Sequence, residues 1–169
     1  MKSIVTIEKL AEKLHLKPLY GLEYLDREIT TSEISRPGLE LAGYFNFYPA
    51  ERIQLLGRTE LSFAEQLSSR TRLKTMRRLC TPETPCFVVS RKLLPPEELV
   101  QAAEEAKIPI LQASSRTTHV SSSVTNYLES RLAERMSMHG VLVDVYGIGM
   151  LITGESGVGK SETALELVQ

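Results

Sequence analysis

The most constraining stretch of this chain is an eight-residue run, which reads Gly154, Glu155, Ser156, Gly157, Val158, Gly159, Lys160, Ser161. It matches the phosphate-loop pattern G-x-x-x-x-G-K-[ST] at every fixed position. The apolar residues 150–153 before it predict a buried strand, and the helix-forming residues 161–168 after it predict a helix. Because this motif requires a strand, a glycine-rich loop and a helix in that order, the sequence predicts a site for the phosphates of a nucleotide.

The residue types of the loop suit a phosphate chemically. Glycines lack a Cβ, so their backbone amides can curl around a phosphate group. The helix that follows adds free N–H groups and the positive end of its dipole. Lys160 would then reach the β- and γ-phosphates, and the Ser161 hydroxyl would ligate Mg²⁺. The alternative is a glycine-rich turn with a helix cap, which the flanking strand and helix disfavour.

Length and charge exclude several classes of protein. The 169 residues fit one large or two small domains, and a net charge of -1 gives no field that would favour nucleic acid or an anionic membrane. No apolar run approaches the ~20 residues that span a bilayer, and the N-terminus lacks a signal-peptide core. We therefore predict a cytoplasmic protein that binds neither nucleic acid nor membrane.

Hydrophobic periodicity before residue 125 predicts alternating helices and strands. The predicted helices cover 3–15, a short segment from Pro37 capped by Ser35, a segment from Ser62, 70–79 and 95–107. The predicted strands cover 16–20, 28–34, 52–56, 86–90 and 108–111. The strand–helix–strand order from 86 to 111 implies a parallel pair with a right-handed crossover. We therefore expect a small α/β domain over 1–125. Residues 114–123 are either a linker or the start of the helix that continues from Val124.

Two side-chain groups in this region allow a functional and a structural interpretation. Cys80 and Cys86 could form a redox pair or half a metal site, but reduced, partly buried thiols are favoured in a cytosolic chain without a second cluster. One helix carries a basic run, which comprises Arg70, Arg72, Lys74, Arg77 and Arg78. It could bind an anion or a partner, but a solvated face opposite a stripe of Leu73, Met76 and Leu79 is favoured.

Four aromatic residues follow the short helix, namely Tyr44, Phe45, Phe47 and Tyr48. Aromatic rings can stack on nucleic-acid bases, but no basic residues are interleaved with these. A role in the core or at a subunit interface is therefore favoured.

The residues that lead into the phosphate loop predict a β-hairpin. Alternating valines over 141–146 indicate a strand, glycines at 147 and 149 turn the chain, and residues 150–153 return. His139 precedes this hairpin and by itself favours a structural role. Asp144 lies on the hairpin strand and is also expected to be structural.

The run 138–168 closely resembles the HPr kinase/phosphorylase family, bacterial enzymes that act on a seryl residue of the sugar-transport phosphocarrier HPr. The residues that carry the resemblance are His139 through Gly147, the loop Gly154 to Ser161, and 162–167. Further runs similar to that family are 34–40, 52–57, 82–85 and 95–99. The resemblance covers essentially the whole chain and is far more specific than a phosphate loop alone.

The resemblance implies a role for each matched position. Residues 154–161 would bind ATP, or phosphate and pyrophosphate in the reverse reaction. Lys160 and His139 would be catalytic, and Ser161 would be a Mg²⁺ ligand. Residues 1–125 would form a regulatory or assembly domain of α/β fold. Residues 126–169 would begin a P-loop kinase domain with a β-hairpin, the phosphate loop and a helix that is cut short at Gln169.

The resemblance also implies a cellular function. The protein would phosphorylate HPr on serine with ATP and remove that phosphate by phosphorolysis, which would regulate sugar uptake and carbon catabolite repression. A homo-hexamer and an effector such as fructose 1,6-bisphosphate are implied too. Because the family's catalytic aspartate and a glutamate that ligates Mg²⁺ would lie beyond Gln169, the chain is expected to be an incomplete, inactive form. The alternatives are a non-catalytic regulatory or oligomerisation module and another P-loop NTPase.

Overall fold

A computed structural model of the chain describes the backbone of residues 4–140 and the side chains of residues 4–133. The chain divides into two compact units, one of which is Ser3–Leu132. The division falls between Leu132 and Ala133, and the boundary at 125 stays a prediction. The fold described below is that of Ser3–Leu132.

A five-stranded sheet in the order β1-β5-β4-β3-β2 forms the centre of this unit. Its strands are β1 Lys17–Tyr20, β2 Ile34–Ser35, β3 Ile53–Leu56, β4 Phe87–Val89 and β5 Ile110–Gln112. The pairs β2–β3, β3–β4 and β4–β5 are parallel, whereas β1 joins β5 antiparallel. The predicted α/β class and the predicted parallel pairing of β4 with β5 are both confirmed.

Six α-helices are described around the sheet. They are α1 Ile7–Leu14, α2 Gly38–Leu41, α3 Arg58–Gln66, α4 Ser69–Leu79, α5 Glu97–Ala106 and α6 Thr117–Gly140. Helices α4 and α5 lie where the periodicity predicts them. Helix α6 begins at Thr117, which decides the open question over 114–123 in favour of a helix start.

Helices cover the sheet on both faces. Because successive strand residues point to opposite faces, neighbouring residues of one strand enter different core clusters. Leu55 and Val88 belong to one core cluster with residues of α1 and α6, whereas Leu56 and Val89 belong to a second cluster with residues of α2–α5. All four residues of β3 are buried. A parallel sheet covered on both faces reads in sequence as continuous apolar runs, which is why the central strands were predicted closely.

The N-terminal elements differ from the predicted boundaries. Helix α1 begins at Ile7 rather than residue 3 because Thr6 is its N-cap, and the Thr6 side chain accepts the Lys9 N–H at 3.2 Å. The strand predicted over 28–34 is wrong except at its end, where Ile34 enters β2. Glu28 instead forms an isolated antiparallel bridge with Thr6.

Two predicted helix starts are wrong. Helix α3 begins at Arg58 rather than at Ser62, because the Glu60 carboxylate accepts the Gly57 N–H at 2.7 Å and closes an earlier first turn. Ser35 does not cap α2 but lies in β2, and Pro37 occupies the N-cap position without a side-chain hydrogen bond.

The cysteine prediction is confirmed. Both thiols are free, with Cys80 half-buried and Cys86 buried, and burial raises the pKa of each to about 12. Thiols that stay protonated at neutral pH are poor nucleophiles and metal ligands.

The aromatic residues divide between core and surface. Phe45 and Tyr48 pack on the second core cluster and form an edge-to-face pair with ring centroids 5.5 Å apart. Tyr44 and Phe47 are exposed, Phe47 by 83%. The core role is therefore confirmed for two of the four, and the interface role stays a prediction for the others.

We expect Gly57→Ala to destabilise this unit. A Cβ at this position would lie 2.5 Å from Thr117 Oγ1 and 3.2 Å from Arg36 Nη2, and overpacking at such a site costs about 1–3 kcal/mol. Urea unfolding followed by far-ultraviolet circular dichroism measures the loss. Gly38→Ala is the matched control, since a Cβ there would meet nothing within 4 Å. Equal midpoints for the two variants would contradict the expected clash.

Candidate active site

The predicted phosphate loop, Gly154 to Ser161, lies outside the described residues. So do the side chain of His139 and the hairpin residue Asp144. The backbone of His139 lies within α6. What the structure describes is therefore helix α6 as far as Gly140 and the residues that hold the start of that helix.

Helix α6 is anchored along one face. Val120, Val124 and Leu128 are four residues apart, are at most 4% exposed, and belong to the first core cluster. This spacing places the three side chains on a single stripe of the helix. The element that carries His139 at its far end is therefore held at its beginning by the sheet of the Ser3–Leu132 unit.

A buried hydrogen bond fixes the first turn of α6. Ser90 Oγ, directly after β4, and Thr117 Oγ1 lie 2.6 Å apart, and either hydroxyl can donate. Both residues are buried. The Val120 N–H donates to the Arg116 carbonyl at 2.9 Å and begins the helical ladder. Because a buried hydroxyl without a partner is costly, this bond fixes where the helix starts relative to β4.

A second polar cluster lies at the same edge of the sheet. Glu60 is 7% exposed, and its Oε1 accepts from the Gly57 N–H at 2.7 Å and from Arg36 Nη2 at 3.0 Å. Arg36 follows β2 and Gly57 follows β3, so both stand where parallel strands end. Ligands often bind at this edge of open α/β sheets. Here the polar atoms bond to one another, so the cluster joins the ends of strands and helices.

Sequence reasoning missed both of these clusters. The signals available were Arg36, within a run that resembles the family, and Gly57, read only as the end of a strand. Neither residue indicates which side chain it contacts. The hydrogen-bonded pairs are distant in sequence: Arg36 and Glu60 are 24 residues apart, and Ser90 and Thr117 are 27 residues apart.

The basic run on α4 is only partly a solvated face. Arg72 Nε and Nη2 donate to Glu98 on α5 at 2.9 and 3.2 Å, and Arg77 donates to Glu105 at 3.0 Å through both Nε and Nη2. The Arg72 side chain is 18% exposed. The predicted solvated face is therefore wrong for Arg72, which is covered and ion-paired.

The other members of the basic run agree better with the prediction. Arg70 and Lys74 are exposed, and the Arg78 guanidinium lies 3.9 Å from the centroid of the Phe45 ring. Met76 and Leu79 are buried as the predicted stripe requires, while Leu73 is half-buried. Since α5 neutralises two of the five cations, the face offers a weaker field to an anionic partner than the sequence suggests.

The Arg72–Glu98 ion pair changes the pKa of its carboxyl group. Hydrogen bonds from Arg72 and then from the Ser69 hydroxyl lower the pKa of Glu98 to about 2. A carboxylate that stays ionised and accepts such bonds stabilises the packing of α4 against α5.

No group of three or more His, Cys, Asp or Glu suited to a metal ion occurs among the described residues. The predicted Mg²⁺ ligand Ser161 lies outside them. None of the described helices combines the length and apolar character needed to cross a bilayer.

Two family models match the chain. The model described as HPr Serine kinase N terminus matches residues 5–128, and the model described as HPr Serine kinase C-terminal domain matches residues 130–169. Together they cover nearly the whole sequence.

Proteins named HPr kinase/phosphorylase are similar along the full chain. The one from Levilactobacillus brevis is 60% identical over 169 residues, which is 100% of this chain and 54% of that protein. The one from Latilactobacillus sakei subsp. sakei is 58% identical over 170 residues, and the one from Listeria monocytogenes is 56% identical over 169 residues. Each match covers 100% of this chain and 54% of the relative. The chain therefore spans about half the length of the curated relatives that it matches.

We expect Glu98→Gln to lower the free energy of unfolding at pH 7 by about 1–2 kcal/mol, because the ionised acceptor of the Arg72 hydrogen bonds is replaced by a neutral amide. The folded-state pKa of Glu98 is depressed from 4.5 to about 2, so the stabilisation is present above pH 4.5 and is lost as the pH falls towards 2. Urea unfolding between pH 7 and pH 3 should show wild type and variant converging. Glu104→Gln, an exposed position on the same helix, is the control and should stay near wild type. A gap for Glu98→Gln that does not narrow in acid would contradict the assignment.

Proposed function

The chain belongs to the HPr serine kinase family, and we propose that it supplies the ATP site of an enzyme that transfers the γ-phosphoryl group of ATP to a serine of HPr. The observation that carries the proposal is the coincidence of a complete phosphate-loop pattern with the match to the family's C-terminal domain over residues 130–169. A phosphate loop alone is compatible with many classes of NTPase, and the family match favours the HPr serine kinases among them.

Each proposed site residue has a separate task. The backbone amides of 154–161 would hold the phosphates, and Lys160 would neutralise the charge that builds on the transferred group. The Ser161 hydroxyl would hold Mg²⁺, which would supply positive charge to offset the charge of the phosphates. His139 would stand beside this pocket. This donor set of amides, one ammonium and one hydroxyl suits a triphosphate with its cation.

The same pocket would serve the reverse reaction. Inorganic phosphate would take the place of the nucleotide's β-phosphate and attack the phosphorus of seryl phosphate. The bond from phosphorus to the serine oxygen would break, that oxygen would regain a proton, and pyrophosphate would leave. The relatives' name, HPr kinase/phosphorylase, supports a pair of opposed reactions in this family.

We further propose the regulatory setting that the resemblance implies. The enzyme would act in the cytoplasm as a homo-hexamer, would control sugar uptake and carbon catabolite repression through HPr, and would respond to an effector such as fructose 1,6-bisphosphate. The Ser3–Leu132 unit would take the regulatory or assembly role, since it has a complete two-sided core of its own.

We expect Lys160→Ala, made in the full-length enzyme, to reduce HPr phosphorylation about a hundredfold or more, because a preorganised charge aimed at the transferred group is removed. Phosphoseryl-HPr formed from Mg²⁺ and ATP is the readout. Lys17→Ala, which changes an exposed lysine on β1, is the control and should keep wild-type turnover. A Lys160→Ala enzyme within about threefold of wild type would refute the role of the loop.

A second candidate function is a non-catalytic binding or assembly module. It is favoured by the core of the Ser3–Leu132 unit, which covers both faces of the sheet. In this reading the 1–169 chain forms no phosphoseryl-HPr with Mg²⁺ and ATP, whereas the full-length enzyme does. An assay of both proteins at equal concentration separates the two functions, and phosphorylation of HPr by the 1–169 chain would reject the module.

A further inference from the structure

The residues that follow the four parallel strands form one surface of the Ser3–Leu132 unit, which we call the carboxyl edge. It comprises the segments directly after β2, β3, β4 and β5, namely 36–41, 57–61, 90–94 and 113–119. The strand register places these ends side by side, since Leu56, Val89 and Gln112 lie opposite one another on β3, β4 and β5. Open α/β sheets use this edge to bind their ligands.

Close contacts connect the four segments across the sheet. Arg36 Nη2 and the Gly57 N–H both donate to Glu60 Oε1. A Cβ at Gly57 would lie 2.5 Å from Thr117 Oγ1, and Thr117 Oγ1 lies 2.6 Å from Ser90 Oγ. The segments therefore pack against one another and form a single continuous surface.

Each of these segments carries an exposed cation. Arg36 follows β2, Arg58 follows β3, Lys92 follows β4 and Arg116 follows β5. Within the described residues, Arg58, Lys92 and Arg116 take part in no ion pair, whereas Arg36 is paired with Glu60. Four neighbouring strands at ~4.8 Å spacing make this row of cations about 14 Å long.

Acidic residues do not offset the charge of the row. The only acids in the four segments are Glu40 and Glu60; both are buried, and Glu60 is already bonded to Arg36. The next acid along the chain after Lys92 is Glu97, in the first turn of α5. The carboxyl edge is therefore positively charged, although the whole chain has a net charge of -1.

Two of the cations stand where they weaken the fold. Arg58 is the first residue of α3, and Arg116 directly precedes Thr117, the first residue of α6. The N-terminus of a helix carries a partial positive charge, so it favours acidic side chains and disfavours basic ones. Residues that lower stability are often retained where function needs them.

The backbone that presents Lys92 is also unusual. Arg91 and Lys92 both have positive φ, at 59° and 56°, a conformation that residues other than glycine seldom adopt. The Ser115 carbonyl accepts the Arg91 N–H at 2.9 Å, and the Ala113 carbonyl accepts the Lys92 N–H at 2.8 Å. Backbone strain of this kind concentrates at functional sites.

We propose that the carboxyl edge docks an acidic segment of a partner protein, one that also carries aliphatic side chains. The row of cations supplies the complementary charge. An extended segment of about four or five residues would span the row, at ~3.3 Å per residue. Leu39 and Leu94, on the same segments, are exposed by 66% and 72%, and they offer contacts to aliphatic side chains.

A protein segment fits this surface better than a nucleic acid does. The four segments contain no Phe, Tyr or Trp on which bases could stack, and the exposed leucines would gain nothing from a phosphate backbone. The carboxyl edge shares no residue with the predicted loop at 154–161, so the proposal does not rest on the proposed kinase activity.

The test is a titration of a labelled synthetic peptide, a run of glutamates flanked by leucines, with the 1–169 chain, followed by fluorescence anisotropy. We expect saturable binding with a Kd of about 100 µM or tighter, and weaker binding at higher salt because exposed charges are screened. The same peptide with glutamine in place of glutamate should not bind, and a single-stranded oligothymidylate should bind more weakly. Equal binding of the glutamine peptide, or tighter binding of the oligonucleotide, would overturn the proposal.

Matched variants locate the binding. Arg58→Gln and Arg116→Gln should each weaken the acidic peptide about threefold, the effect of one exposed ion pair. Lys107→Gln is the control, because Lys107 is exposed but precedes β5 and so lies at the opposite edge of the sheet. Equal effects of Arg58→Gln and Lys107→Gln would mean that the peptide responds to net charge alone and would overturn the proposal.

Thermal unfolding separates a functional role from a structural one. Because both cations oppose a helix dipole, the Arg58→Gln and Arg116→Gln proteins should unfold at the wild-type Tm or above it. A lower Tm for either variant would show that the fold needs the cation, and the argument for a docking role would fail.

One further variant separates the carboxyl edge from the phosphate loop. Lys160→Ala should leave binding of the acidic peptide unchanged, because the two sites share no residue. Loss of binding in Lys160→Ala would assign the peptide to the loop and overturn the docking proposal. Unchanged binding in a Lys160→Ala enzyme that still phosphorylated HPr would instead overturn the proposed function and leave the docking surface standing.

Discussion

The described structure depends on the burial of a mostly parallel sheet on both faces. Adjacent residues of β3, Leu55 and Leu56, enter different core clusters, so this central strand is buried on both faces. Buried Gln54 is bonded only in part: its amide nitrogen donates to the carbonyls of Pro49 and Arg52, whereas its Oε1 has no hydrogen-bond partner. Helices α1 and α6 pack on one face and α2–α5 on the other. The first turns of α6 are therefore held in the core, and His139 lies near the other end of the same helix.

Polar contacts then set where the strands and helices meet. The Ser90–Thr117 hydrogen bond fixes the start of α6, and Glu60 joins Arg36 to the first turn of α3. These bonds are buried or partly buried, so they specify geometry more than they add net stability. On the far face, the Arg72–Glu98 pair holds α4 to α5. An arginine run that would attract anions if solvated serves in part to assemble two neighbouring helices.

Sequence reasoning predicted element types well wherever the apolar period was strong, as in β3, β4 and α5. It failed at boundaries that depend on single side chains. With Thr6 as its cap, α1 begins at Ile7, four residues later than the predicted start at residue 3. Glu60 closes the first turn of α3 from a position that looks in sequence like an ordinary surface acid. Of the strand predicted over 28–34, only Ile34 lies in β2, and Glu28 instead forms an isolated bridge with Thr6. Thr6 is 22 residues away, so no local pattern reveals this partner.

The sequence by itself determined the family, because the matches to it extend along nearly the whole chain. It also supplied the prediction of a nucleotide site, because a phosphate loop has its glycines, lysine and serine within eight consecutive positions. It also determined the α/β class, since the order of apolar runs is a property of the chain alone. Only the tertiary structure decided which cations are neutralised and which polar residues share a cavity. Lys13 lies about a hundred residues before Ser114 and His119 in the chain, yet all three line one cavity, because α1 and α6 pack on the same face of the sheet.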